Sequence, residues 1–146
     1  VNFSGIPNIQ RRTTGGFEIA LSVLFTSGIQ HIAETPEGMA KQPDYVIEFM
    51  RTVPNVWDDV KFIDGYPGKF VVLARKKGDT WYIAGINGEK TERTIELNLS
   101  FLGKKSKGFM ITDSEDAKQF VKNRVDFSKP MKIKMHPYGG FVIRTM

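Results

Sequence analysis

Carboxylates are the first side chains to consider in this 146-residue chain, because they carry most acid–base chemistry. Hydrolysis by an acid–base pair needs two of them held across a cleft at a defined separation. The densest acidic sites in the sequence are few and far from one another: Asp58-Asp59, Asp64, Glu34 with Glu37, and Asp113 with Glu115-Asp116. None of these sets forms a credible pair, so the sequence predicts no catalytic residue in this chain.

Metal-binding and nucleophilic chemistry are no better supported. The two histidines, His31 and His136, lie far apart, and the chain has no cysteine. Residues 113–116 begin like a calcium-binding loop but lack the glycine and the final glutamate of one, so a solvated turn is favoured there. His136 precedes a proline in a turn, which places it at the surface. We therefore predict no metal ligand and no cofactor in this chain.

His31 and Glu34 are the two side chains for which we predict a binding role. They fall within and just after a short apolar run, residues 29–33, bounded by Gly28 and by Thr35-Pro36. Such a run predicts a brief buried strand. Ligand-facing residues of parallel α/β proteins gather at the carboxyl ends of strands. His31 and Glu34 are therefore candidates for the rim of a substrate pocket, with a hydrogen-bonded structural role as the alternative for His31.

The period of the hydrophobic pattern changes partway along the chain, and this change predicts an α+β fold. Apolar residues from Phe17 to Phe25, and again from Tyr45 to Met50, follow helical spacing. From residue 57 onward, about eight short runs separated by turn residues predict an antiparallel, Greek-key-like β-sandwich. Residues 69–77 and 80–87 predict a hairpin about Gly78-Asp79. The first helix is apolar nearly all round, so it needs cover on two sides.

Charge and composition exclude two classes of partner. The net charge is −1 over residues 1–56 and +6 over residues 57–146, where the lysines are scattered among turns. Lysines in such places protect strand edges from pairing, so we predict no nucleic-acid partner. No stretch approaches the roughly 18 apolar residues of a membrane span. The chain starts at Val1 without a leader, which indicates a cut or processed chain.

Several stretches resemble the carboxyl-terminal end of glycoside hydrolase family 97, the bacterial α-glucosidases and α-galactosidases. They are residues 17–31 (FEIALSVLFTSGIQH), 53–68 (VPNVWDDVKFIDGYPG), 70–89 (FVVLARKKGDTWYIAGINGE) and, less specifically, 137–143 (PYGGFVI). The resemblance implies that residues 1–56 are the last helix–strand–helix of a (β/α)8 barrel and residues 57–146 the β-sandwich after it. It also implies an intact enzyme that is periplasmic or secreted, acts on α-linked oligosaccharides, and holds its catalytic and calcium-binding glutamates on other segments.

Two roles for the β-domain follow from this resemblance. In the first, the β-domain packs on the barrel and stabilises it. In the alternative it is a carbohydrate-binding module, which needs at least two exposed, coplanar rings such as Trp81 or Tyr82. Because the sandwich alone is not expected to cover the apolar helix at residues 17–25, we also predict self-association of the chain.

Overall fold

The computed structural model describes residues 2–4, 11–103, 107–117 and 119–146. Three helices come first: α1 (Gly15–Leu24), α2 (Pro36–Ala40) and α3 (Asp44–Thr52). Eight strands follow, with a 3-10 turn at Ser100–Leu102: β1 (Asp59–Tyr66), β2 (Phe70–Lys77), β3 (Thr80–Asn87), β4 (Arg93–Leu97), β5 (Lys107–Asp113), β6 (Phe120–Asp126), β7 (Met131–Met135) and β8 (Gly140–Thr145). Every pairing among the described strands is antiparallel.

The strands form two sheets. Six of them make one sheet in the order β1-β2-β3-β8-β5-β6, and β4 pairs with β7 in a small second sheet. The predicted hairpin is confirmed, with β2 and β3 in register from Lys77 opposite Thr80 to Phe70 opposite Asn87. Gly78 adopts a φ of +55° in its turn, a backbone conformation that favours glycine. The Asp58 carboxylate accepts a hydrogen bond from the Gly78 amide at 2.7 Å, which ties the turn to the start of β1.

The central strands β3 and β8 separate two apolar cores. On one face Trp81, Ile83 and Phe141 pack against the small sheet. On the other face Tyr82 and Val142 pack against the helices. The antiparallel sandwich is therefore confirmed in outline, although its second sheet has only two strands. The remaining face of the large sheet is covered by helices instead.

Helix α1 lies across β3 and β8, and the sheet holds both of its ends. At its start, the Thr14 hydroxyl accepts a hydrogen bond from the Phe17 amide at 3.2 Å. At its end, Arg75 of β2 donates to the carbonyl oxygens of Val23, at 2.7 Å, and Leu24, at 3.2 Å. A cation at this end complements the helix dipole. We expected the β-domain to be unable to cover this helix, and that expectation was wrong for its inner face.

Glycines let α1 approach the sheet backbone to backbone. A Cβ added at Gly16 would lie 2.2 Å from the Gly140 carbonyl oxygen, and one at Gly140 would lie 2.9 Å from the Gly16 carbonyl oxygen. Both distances are shorter than real Cβ contacts allow. The first turn of α1 can therefore reach β8 only because Gly16 and Gly140 carry no side chain.

The chain between α1 and α3 differs from the sequence prediction. Residues 29–33, predicted to be a buried strand, form an exposed irregular segment with Ile29 70% accessible. A strand needs a neighbour to pair with, and none of the described strands pairs with this segment. The short helix α2 was not predicted. It begins with Thr35, whose hydroxyl accepts from the Gly38 amide at 3.0 Å, followed by Pro36, both of which are ordinary helix-start signals.

Candidate interaction surfaces

Asp113 is the one buried carboxylate in the described part of the chain. Its Oδ1 accepts from the Gly16 amide at 2.7 Å, and its Oδ2 accepts from the Thr14 hydroxyl at 2.6 Å. Burial raises the pKa of Asp113, although the donors at Thr14, Gly16 and Gly140 and the charge of His136 act to lower it. The solvated-turn prediction is therefore wrong for Asp113, which fastens the start of α1 to the end of β5.

His136 was expected at the surface, and it is largely covered. Its Nε2 lies 2.9 Å from the Ser114 carbonyl oxygen, and its Nδ1 lies 3.7 Å from the Glu92 carboxylate. The side chain is 20% accessible. Its contacts join the loop after β5 to the loop before β8, which is a structural arrangement.

Glu34, one of the two predicted pocket-rim residues, binds backbone amides. Its Oε2 accepts from the Phe3 amide at 2.6 Å and the Ser4 amide at 2.8 Å, and its Oε1 accepts from the Thr35 amide at 3.0 Å. Burial acts to raise the pKa of Glu34, but the hydrogen bonds from Ser4, Phe3 and Thr35 outweigh it and hold the pKa below its usual value. Glu34 thereby anchors the described residues 2–4.

His31, the other predicted rim residue, lies in the exposed segment between α1 and α2. A binding role for His31 and Glu34 stays a prediction. Among the described residues, no group of three or more His, Asp or Glu side chains is placed to hold a metal ion. No described helix is both long and apolar enough to cross a membrane.

The rings named for a carbohydrate-binding module are in the core. Trp81 is 8% accessible and packs edge-on against Phe101, with 5.1 Å between ring centroids. Tyr82 packs against Trp57 at 5.2 Å and against Phe49 at 6.1 Å. Trp81 and Tyr82 therefore cannot form an exposed sugar-stacking platform.

The exposed apolar side chains of the β-domain are concentrated on β1, at one edge of the large sheet. Val60 is 51% accessible and Phe62 is 67% accessible, and Tyr66 at the end of the strand is similarly exposed. The opposite edge strand, β6, presents Lys122, Asn123 and Arg124 in its middle. A charged edge discourages pairing with another strand, whereas an apolar edge invites it. We call Val60, Phe62 and Tyr66 the β1 surface.

A groove of about 510 Å³ adjoins the β1 surface. Its apolar lining includes Phe62, Tyr66, Phe70, Val71 and Ile86. Val71 and Ile86 belong to the helix-side core, whereas Phe70 packs against the other core. Few polar groups line it, so its chemistry suits an apolar partner better than a sugar.

A second exposed apolar surface lies on the chain between α1 and α2. It consists of Phe25, Ile29 and Ile32, which we call the 25–32 surface. A cavity of about 490 Å³ beside it is lined by Ile29 and Ile32 and by Met50 and Val53 from the end of α3. This surface lies between two helices that are themselves buried against the β-domain. The sequence predicted that the helix at residues 17–25 would need cover on two sides, but it did not predict that Ile29 and Ile32 would be exposed.

Comparisons with known proteins identify the family of this chain. The family described as "Glycosyl-hydrolase 97 C-terminal, oligomerisation" matches residues 56–146. A retaining alpha-galactosidase of Bacteroides thetaiotaomicron is 34% identical over 134 residues, which are 87% of this chain and 20% of that protein. A beta-arabinopyranosidase crystal structure superposes with a TM-score of 0.84 at 32% identity, over 92% of this chain and 22% of that one.

A glycoside hydrolase family 97 enzyme from Pseudoalteromonas sp. strain K8 superposes with a TM-score of 0.82 at 28% identity. The alignment covers 93% of this chain and 23% of the enzyme. The chain thus spans about a fifth of the length of the relatives that it matches. Matched over most of its residues in both sequence and structure, the chain belongs to the carboxyl-terminal region of glycoside hydrolase family 97.

Proposed function

We propose that this chain is the non-catalytic carboxyl-terminal part of a larger α-glycosidase. Residues 1–56 complete a (β/α)8 catalytic barrel, and residues 57–146 form a β-domain that packs on the barrel and brings enzyme subunits together. Family membership and the share of the relatives that is covered support the first role. The family description, which names oligomerisation, supports the second.

The exposed 25–32 surface is the observation that carries the barrel assignment. Helices α1 and α3 bury Ile19, Val23, Val46 and Phe49 against the β-domain, yet the chain between them leaves Ile29 70% accessible. Burying one such side chain fully contributes about 1.5–3 kcal/mol. Phe25, Ile29 and Ile32 together therefore represent several kcal/mol of uncovered apolar surface, comparable with the stability of a small domain.

Barrel strands explain this surface directly. Residues 29–33 have the apolar composition of a buried parallel strand and follow a helix, which is the order of a parallel α/β unit. In our proposal they become the last barrel strand when the preceding strands are present to pair with them. The candidate rim residues His31 and Glu34 then lie at the carboxyl end of that strand, where (β/α)8 enzymes bind substrate.

Hydrogen exchange tests this assignment. Amides of residues 29–33 should exchange quickly in the 146-residue chain and be protected in the intact enzyme, because strand pairing occupies their N–H groups. The amides of β3 are the internal control, since they should be protected in both proteins. Equal, fast exchange of residues 29–33 in the chain and in the intact enzyme would overturn the barrel assignment.

The substrate class of the intact enzyme is an α-linked glycoside. The Bacteroides relative is named a retaining alpha-galactosidase, and the Pseudoalteromonas family 97 enzyme was solved in complex with acarbose. These names support α-galactosides or α-glucosides as substrates of the parent. A calcium requirement and a periplasmic or secreted location complete the proposal for the intact enzyme, both from the family resemblance.

A further inference from the structure

We propose that β1 is the subunit contact, and that it pairs antiparallel with β1 of a second copy about a two-fold axis at Val60. This inference rests on the proposed role of the β-domain in bringing subunits together. It adds the surface, the symmetry and the register of the contact.

The two edge strands of the large sheet expose different side chains: those of β6 oppose pairing with a second copy, and those of β1 favour it. The middle of β6 presents Lys122, Asn123 and Arg124 to solvent, and a cationic edge repels a second copy of itself. In β1, by contrast, Val60 and Phe62 are each more than half exposed and alternate with Asp59 and Lys61, whose charges are of opposite sign. A bulge between Phe62 and Asp64 ends the regular part of β1, so pairing centres on the four residues before it, Asp59–Phe62.

Charge selects the register of that pairing. Directly opposite residues of an antiparallel pair lie on the same face and interact across the strands. An axis at Val60 places Asp59 opposite Lys61 of the partner subunit, and two-fold symmetry repeats this attraction. An axis at Asp59 or at Lys61 would instead place two like charges directly against each other. Only the Val60 register pairs every charge in the segment 59–61 with its opposite.

The same register assembles an apolar row on the other face. Val60 and Phe62 lie opposite Arg75 and Leu73 of β2, which places both on the helix side of the sheet. At the axis Val60 meets Val60 of the partner subunit, and Phe62 becomes its diagonal neighbour, within reach of an aromatic ring. The row contains two Val and two Phe side chains, with each Phe62 opposite Asp58 of the partner subunit, and it runs into the apolar groove beside Phe62 on each subunit.

Charge exchange tests the contact in the 146-residue chain. Lys61→Glu or Asp59→Lys should each weaken dimerisation about tenfold or more, because each turns two attractive pairs into repulsive ones. The exchange Asp59→Lys with Lys61→Glu should restore affinity to about threefold of the unchanged chain. Arg124→Glu, the same change of charge on β6, is the matched control and should leave dimerisation unaltered. Sedimentation velocity at several concentrations measures all four, with thermal unfolding to verify that each variant folds.

A cysteine test is independent of affinity, because the chain has no cysteine of its own. Val60→Cys places two thiols across the axis within the Cα separation that a disulfide allows, so mild oxidation should yield a covalent dimer. Arg124→Cys should not yield one. If the unchanged chain dimerises but neither charge reversal weakens it and Val60→Cys does not cross-link, the β1 contact is refuted and subunit association stands. A chain that stays monomeric at every concentration would refute both.

Discussion

Replacing Asp113 with alanine should loosen the attachment of α1 to the β-domain and destabilise the whole chain. The change removes the acceptor for the Gly16 amide and for the Thr14 hydroxyl, at 2.7 Å and 2.6 Å respectively. A buried donor that loses its partner costs about 1–3 kcal/mol. Alanine also removes the free-energy cost of burying a carboxylate, and this gain offsets part of the lost hydrogen bonding. We expect a net loss of about 2 kcal/mol at neutral pH, with a fall in the unfolding midpoint of roughly 6 °C.

The pH dependence follows from the raised pKa of Asp113. Because burial raises that pKa above its unfolded value, the folded state holds this proton more tightly than the unfolded state does. The stabilisation from the proton is fully present below the unfolded pKa and is lost as pH rises through the folded one. The stability of the unchanged chain relative to Asp113→Asn, which does not titrate, should therefore fall as pH rises from about 3 to 7.

Urea unfolding at several pH values, followed by circular dichroism, measures both effects. Glu115→Ala is the control, because it removes an exposed carboxylate from the turn that follows Asp113. A loss for Asp113→Ala no larger than for this control would refute the fastening role. If the unchanged chain instead gained stability relative to Asp113→Asn as pH rises, the stated direction of the pKa shift would be refuted.

Three further outcomes are expected. Gly16→Ala should lower the free energy of unfolding by more than about 2 kcal/mol, because its Cβ would lie 2.2 Å from a carbonyl oxygen. Gly28→Ala, whose Cβ would meet open space, should change it by less than about 0.5 kcal/mol, and thermal unfolding distinguishes the two variants. Trp81→Ala should cost about 3–5 kcal/mol in urea unfolding and Tyr66→Ala far less, and equal losses would contradict the assignment of Trp81 to the core. The isolated chain should not hydrolyse aryl α-glucosides or α-galactosides, with or without calcium, and turnover abolished by Glu34→Gln would contradict this.

The strands of the β-domain could be predicted from the sequence because their signals are local. The strands are short runs in which apolar residues are continuous or alternate with polar ones, and residues such as Gly78 and Pro130 mark the turns between them. The α1 and α3 helices carried an equally local signal in their spacing. The predicted strand at residues 29–33 failed because a strand exists only with a neighbour, and composition alone does not provide one.

The attachment of α1 could not be predicted, because it depends on residues far apart in the chain. Asp113 and Gly16 are 97 positions apart, and a single sequence has no pattern that joins them. The close crossing of α1 over β8, which needs Gly16 and Gly140, also has no local sequence signature. The two candidate rim residues were chosen by analogy with strand ends, and hydrogen bonds to residues 3 and 4 gave Glu34 a contact that the spacing did not indicate.

The fastening of α1 at both ends has a consequence for how such enzymes can exchange parts during evolution. Arg75 holds the last carbonyls of the helix and Asp113 holds its first amides, so the helix and the large sheet share one core. A recombination event at residue 56 would separate the helix from the sheet that accommodates it. Viable chimaeras between family members should therefore carry a crossover upstream of Thr14, so that α1 is inherited together with the strands.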